Sequence, residues 1–297
     1  MELRQITEKV YFIPNPANIG VIRDGKMVIL IDSGLDDDTG IKILKALENY
    51  GLYLKAIINT HSHADHCGGN AYLKEKTCAK IYAPEIEAGI IQYSYLEPFY
   101  FFSGASPIKD LKNKFLMARP SRVDYVIKNN ESKLFFDKIE LKIVRLPGHS
   151  PNQIGIGVEN VLFCADSIIS KDTLKKHKIP FCVDIDKQKK TLNFLKESKY
   201  KFYVPSHAKP LDNILDLAIA NLKIIEDVEK YLIHNIRGSK TTEEILRELC
   251  NHYKIEIKSI QQYYLMNTVT MAYLSFLYKK GRFELMISGN TLYWKKI

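Results

Sequence analysis

An α/β fold is predicted for this chain by three observations. Residues 54–59 form an apolar, β-branched run that reads as a buried strand, and beyond a short loop the segment 70–76 has a helical pattern. Three later strand patterns end as this one does, on a His or an Asp. Near residue 212 the pattern changes to long helical periods that close on a hairpin.

The first loop is the densest chemical feature. It reads Thr60-His61-Ser62-His63-Ala64-Asp65-His66, then Cys67-Gly68-Gly69-Asn70. Three imidazoles and a carboxylate within six residues imply a metal site. On an extended segment His61 and His63 point to the same side, so both can reach one ion at about 2.0–2.1 Å, while Asp65 and His66, after the chain turns, face a second. Zinc takes three or four protein ligands, which predicts further His and Asp residues at later strand ends. The chain supplies His149 in a Pro-Gly turn after strand 139–145, Asp166 after the apolar run 161–165, and His207 after 202–206. Loops beyond the carboxyl ends of strands are where α/β scaffolds carry chemistry.

With the HxHxDH motif at 61–66, the PGHS turn at His149, LFCAD at 162–166, PSH ending at His207 and Ile31-Asp32-Ser33-Gly34 upstream, the chain resembles the metallo-β-lactamase superfamily over roughly residues 8 to 215. The resemblance implies an αββα sandwich, two mixed β-sheets flanked by helices, with the site along one edge. It implies one metal on His61, His63 and His149, a second on Asp65, His66 and His207, and Asp166 bridging them. Asp32 would orient a ligand imidazole; a strand-end cap is the plainer role for it. Because Asp166 follows Cys164-Ala165, the chain is similar to the hydrolase and nuclease branches, which disfavours β-lactam hydrolysis.

Two divalent ions, zinc or alternatively iron or manganese, would acidify a shared water from about 15.7 toward about 7 and polarise the oxygen under attack. The resulting hydroxide, bridging the ions, is the expected nucleophile, with Asp65 orienting it and shuttling its proton. The motifs do not choose among ester, thioester, amide and phosphodiester.

Composition fits a cytoplasmic enzyme of two modules. The 297 residues are 46% hydrophobic, and no apolar run approaches a membrane span. Met1 to Gln5 leads into a strand pattern without an apolar signal region. The expected boundaries are 1–212 for the catalytic domain, with an insert at about 92–125, and 213–297 for a helical, winged-helix-like domain. Five cysteines without a CxxC pair are expected to be reduced and buried.

Four features bear on the substrate. The aromatic insert, neither sheet nor helix by its pattern, offers Tyr93, Tyr95 and Phe99 as an apolar lining, or else packs on its own domain or forms a dimer contact. The loop after Asp166 carries Lys171, Lys175, Lys176, His177, Lys178, Lys187, Lys189 and Lys190, a solvated face or a capture site for an anion. Lys209 lies two residues from His207. In the last module, Thr241–Glu244 is a capping signal, 259–278 reads as a helix, and 282–288 and 291–296 alternate around Gly289-Asn290 as a hairpin.

The leading reading is a dinuclear hydrolase of a small ester or thioester, similar to glyoxalase II. A single-strand endoribonuclease using the C-terminal module is the alternative, supported by a net charge of +9 but weakened by a presumed recognition helix, 261–273, without Lys or Arg. A mononuclear iron persulfide dioxygenase is the third; the full set of seven ligands argues against it. The partners expected are a small, anionic substrate, RNA under the alternative, a second copy of the chain, and no membrane.

Overall fold

The computed structural model describes residues 1–297. Strands β1 (Arg4–Gln5), β2 (Val10–Ile13), β3 (Ile19–Asp24) and β4 (Met27–Ile31) run as an antiparallel meander. Helix α1 (Asp37–Asn49) then crosses to β5 (Tyr53–Ile58), which lies parallel to β4. Asp36 caps α1 by accepting the Thr39 N–H at 3.1 Å. After α2 (Ala64–Cys67) and α3 (Asn70–Thr77) come β6 (Lys80–Pro84), α4 (Glu85–Gln92), α5 (Leu96–Phe101) and β7 (Tyr125–Ile127), completing a seven-stranded sheet in sequential order.

The second sheet has five strands: β8 (Lys133–Phe136), β9 (Ile139–Arg145), β10 (Ile154–Val158), β11 (Val161–Ala165) and β12 (Phe202–Pro205). Helices α6 (Lys171–His177) and α7 (Ile185–Glu197) connect β11 to its parallel neighbour β12. The two sheets stack through one apolar layer that includes Ile29, Ile58, Leu141, Ile156 and Phe163. The outer face of the first sheet packs on α1, α3 and α4 through Leu30, Ile57, Ile43, Leu47, Leu73 and Ile91. β10 and β11 are buried at every position, as strands covered on both faces must be. The result is the αββα sandwich, with mixed sheets, that the resemblance implied.

The chain continues with α8 (Leu215–Asn235), β13 (Ser239–Lys240), α9 (Thr242–Tyr253), α10 (Ile260–Lys279), β14 (Phe283–Ser288) and β15 (Thr291–Lys296). Thr241 and Glu244 form a full capping box at α9, and the terminal hairpin turns at Gly289-Asn290. Apolar packing is continuous from Leu162 and Tyr203 of the second sheet through Leu192 and Leu222 to Leu249, Leu274 and Trp294. Helix α8 therefore serves both the sandwich and the C-terminal elements. No helix is long and apolar enough to cross a membrane.

Two expectations are corrected. The aromatic insert contains a helix, α5, because Pro98 falls in the first turn, where its missing N–H costs nothing. The five cysteines are free, but Cys78, at the left-handed C-cap of α3 (φ 58°), is exposed rather than buried.

Candidate metal centre

Every candidate ligand sits just past a strand's carboxyl end, at one edge of the sandwich. After β5 the backbone bends at Thr60 and His61, is extended at His63, and then winds into the single turn α2, which presents Asp65 and His66. The sheets are joined at this edge by the Ile154 N–H donating to Thr60 O at 3.0 Å. At the end of β11 the pairing with β12 shifts register, and Ala165 takes a left-handed conformation (φ 52°) that aims Asp166 inward. Gly148 (φ +137°) is required beside His149, since a Cβ there would lie 2.5 Å from Gln188 Cα.

The structure brings all seven predicted ligands together. They form three overlapping groups whose ligand atoms lie within 4.8 Å of one another: His61, His63 and His149; His61, His66 and Asp166; Asp65, His66 and His207. His63 Nδ1 is 3.1 Å from His61 Nε2 and 3.0 Å from His149 Nε2. Asp166 stands between the groups, its oxygens 3.4 Å from His66 Nε2, 3.5 Å from His149 Nε2 and 3.1 Å from His207 Nε2. Asp65 lies 3.4 Å from His207 Nε2 and 3.8 Å from His66 Nε2.

The other ring nitrogens are anchored. His66 Nδ1 is 2.8 Å from Asp32 Oδ2, His149 Nδ1 is 3.1 Å from Phe181 O, and His207 Nδ1 is 2.7 Å from Pro16 O. Such outer contacts choose the tautomer and turn the remaining nitrogen inward. Asp32 (φ 64°) also accepts the Thr60 N–H and hydroxyl, each at 2.8 Å, so it combines strand-end cap and imidazole support.

Burial lowers the His61 and His149 pKa, and it pushes His63 down to about 3. For His66 burial is outweighed by Asp166, Asp65 and Asp32, which hold it well above its usual value. Asp166 raises His207 to about 10. Burial opposes ionisation of Asp65 and Asp166, yet His66 and His207 keep both carboxyls below the usual range.

The cluster fits divalent cations. His66 Nε2 and Asp166 Oδ1 are buried without a hydrogen-bond partner, a costly state that a cation would relieve. His63 Nδ1 lies 3.1 Å from His61 Nε2 and 3.0 Å from His149 Nε2, close to the spacing of roughly 3.3 Å that a tetrahedral zinc demands. Cys67 plays no part: its thiol is buried and donates to Ser62 O at 3.2 Å.

Sequence reasoning missed three supports. Glu87 of α4 is fully buried and accepts from the Ser62 N–H (3.1 Å) and hydroxyl (2.7 Å), the Ser150 hydroxyl (2.8 Å) and the Asn152 N–H (2.9 Å). It ties the first His loop to the His149 turn; the signal was a carboxylate on a helix face shared with Ile90 and Ile91. Asn18 clamps the His207 turn, donating to Pro205 O at 2.9 Å and Ala208 O at 2.6 Å. Asn59 Nδ2 holds His66 O at 3.1 Å while Asn70 Nδ2 donates to Asn59 Oδ1 at 2.7 Å.

The substrate-side candidates scatter. Tyr93, Tyr95, Phe99 and Lys209 are exposed, and none lines the cavity beside His149; Lys176, His177 and Lys178 do. Phe101 is the insert's inward aromatic, packed with Leu111 and Leu116 against Phe181, Tyr264 and Leu265.

A family model described as metallo-beta-lactamase superfamily matches residues 13–207. The hydroxyacylglutathione hydrolase of Blochmanniella pennsylvanica is 29% identical over 142 residues, 48% of this chain and 43% of that protein. A probable metallo-hydrolase of Bacillus subtilis is 25% identical over 224 residues, 71% of this chain and 93% of that protein. The chain thus spans about half or less of the hydroxyacylglutathione hydrolase it matches. A metallo-beta-lactamase family protein from Thermus thermophilus superposes with a TM-score of 0.75 at 18% identity, covering 98% of this chain and 99% of that one. That likeness extends the shared fold through the C-terminal elements.

Proposed function

This chain belongs to the metallo-β-lactamase superfamily, and on that premise we propose that it is a hydrolase of a small ester or thioester working with two divalent metal ions. The observation that carries this reading is the convergence of five imidazoles and two carboxylates on one strand-end edge, with His66 Nε2 and Asp166 Oδ1 buried without a hydrogen-bond partner. The names of the relatives, hydroxyacylglutathione hydrolase and metallo-hydrolase, support hydrolysis and favour a thioester.

His61, His63 and His149 would hold one ion, Asp65, His66 and His207 the other, and Asp166 both. Bound there, zinc-type ions supply an acidified water and polarise the oxygen of the acyl group. The chain's own groups do the rest. Asp65 is the most exposed of the carboxylates in the cluster, and it accepts a hydrogen bond from the attacking water and sets its direction. Asp32, Phe181 O and Pro16 O keep the imidazoles from rotating away. Phe181, with its ring 5.6 Å from those of both His63 and His149, excludes bulk water from that side. Water oxygen bonds to the acyl carbon, the carbon–sulfur or carbon–oxygen bond breaks, and the proton leaves with the thiol or alcohol.

Turnover of small thioesters and esters by the purified protein tests the reading. Thioester hydrolysis abolished by chelation and restored by zinc is expected; thioesters left intact while a single-stranded RNA is cut would replace it with the nuclease alternative. The presumed recognition helix speaks against that alternative, because α10 turns Leu265, Met266 and Val269 to the cavity beside His149.

A further inference from the structure

Beside the ligand cluster lies a cavity of about 400 Å³ that includes His149 in its lining. Ligand sites for small molecules begin near this size. Its apolar walls come from distant parts of the chain: Ile169 and Phe181 from the segment after Asp166, and Leu265, Met266 and Val269 from one face of α10. Phe181 links the cavity to the chemistry, since its ring touches those of His63 and His149 and its carbonyl anchors the latter.

Lys176, His177, Lys178 and Lys254 complete the lining. Lys187, Lys189 and Lys190, on the next helix, pair with Asp184, Glu229 and Asp186; the three lysines at the cavity form no ion pair. The single carboxylate of the lining, Glu256, is engaged by Lys258 at 3.1 Å. Uncompensated ammonium groups around low-dielectric walls focus a positive potential into the cavity. An apolar surface and a surplus of cations thus meet in one half-open cavity.

Resting on the hydrolase reading above, we propose that this cavity binds an ester or thioester that carries both a medium-length apolar group and a negative charge. The apolar group packs on Phe181, Leu265 and Met266, and the anion is held by Lys176 and Lys254. The C-terminal module is then half of the specificity pocket, with α10 as its wall. Hydrolysis of such a substrate needs only water: one carbon–oxygen bond forms, the ester or thioester bond breaks, one water proton leaves with the thiol or alcohol, and the other is released from the product carboxylate to solvent.

The test is calorimetric titration of the metal-loaded protein with octyl sulfate below its micelle concentration, and with octyltrimethylammonium as the cationic match. One octyl sulfate per chain is expected, bound at least about tenfold more tightly than the cation. The double variant K176E/K254E should weaken octyl sulfate at least about tenfold, and Met266→Trp, which fills the apolar end, should do the same, both with unchanged metal content and thermal unfolding. Equal affinity for the two amphiphiles, or wild-type affinity in both variants, overturns the proposal. Turnover of a small neutral thioester on the same preparations separates the two readings. Turnover without octyl sulfate binding overturns the cavity assignment alone, whereas selective binding without any turnover upholds the anion-selective pocket and overturns the hydrolase reading.

Discussion

His61, His63 and His149 form a trio of nitrogens, whereas Asp65, His66 and His207 sit among three carboxylates, Asp32, Asp65 and Asp166. The two halves lie on one edge and share Asp166, yet burial acts on them oppositely in effect. In the trio nothing outweighs desolvation, so all three imidazoles have lowered pKa values, that of His63 down to about 3. In the other half Asp166 and its neighbours keep His66 and His207 protonated, His207 up to about 10. A cation entering the first half displaces no proton. One entering the second must displace protons from both imidazoles, so its affinity rises with pH.

The largest test removes the shared residue. Asp166→Ala, which takes away the oxygens beside His66, His149 and His207, should cut turnover by about 10²–10⁴-fold and lower occupancy of both halves. Full metal content in that variant would separate Asp166 from the centre. Asp32→Ala should act on one half only. It frees His66 Nδ1 and leaves the Thr60 donors unmet, so affinity for the second ion falls about 10–100-fold while the first ion stays. Competition with a chromophoric chelator reads this directly, and equal loss of both ions would break the comparison.

Glu87→Ala reaches the first half through its scaffold. Four donors from Ser62, Ser150 and Asn152 lose their acceptor, which should cost about 3 kcal/mol in urea unfolding, with Glu87→Gln milder. Stability of Glu87→Ala equal to wild type would show that another group holds the two loops.

The smallest effect is pH-dependent and belongs to metal-free protein. His207 has a folded pKa near 10, above its unfolded value of about 6.5, so its contribution is fully present below pH 6.5 and lost as pH rises through 10. Asp166, held below the usual carboxylate range, contributes above about pH 4 and loses that contribution as pH falls. His61, His63 and His149, with lowered folded pKa values, act the other way and lose their contribution as pH falls below about 6.5, so chelated protein should be most stable near pH 6.5 and lose stability on both sides. A stability maximum above pH 8 would contradict the charge assignment of the second half.

The ligands were legible because all follow a strand's end and four of them fall within six residues, so local pattern sufficed. The capping box at Thr241 and the hairpin at Gly289-Asn290 were legible for the same reason. What supports the ligands was not. Glu87 meets Ser150 across 63 residues, and Asn18 meets Pro205 across 187, distances over which only the stacked sheets bring side chains together. The aromatic insert shows the complementary limit: composition marked Tyr93, Tyr95 and Phe99, whereas these lie exposed and the helical turn of α5 turns Phe101 inward. Among the lysines after Asp166, the acids of α7 and α8 neutralise some and leave Lys176 and Lys178 free at the cavity.

The central claim, that seven side chains hold two ions in two chemically distinct halves, is tested most directly by elemental mass spectrometry of protein purified without added metal, at pH 7.5 and again at pH 5.5. Two zinc-type ions per chain at the higher pH, falling toward one at the lower, is the predicted result. A single iron per chain, unchanged between the two, would contradict it.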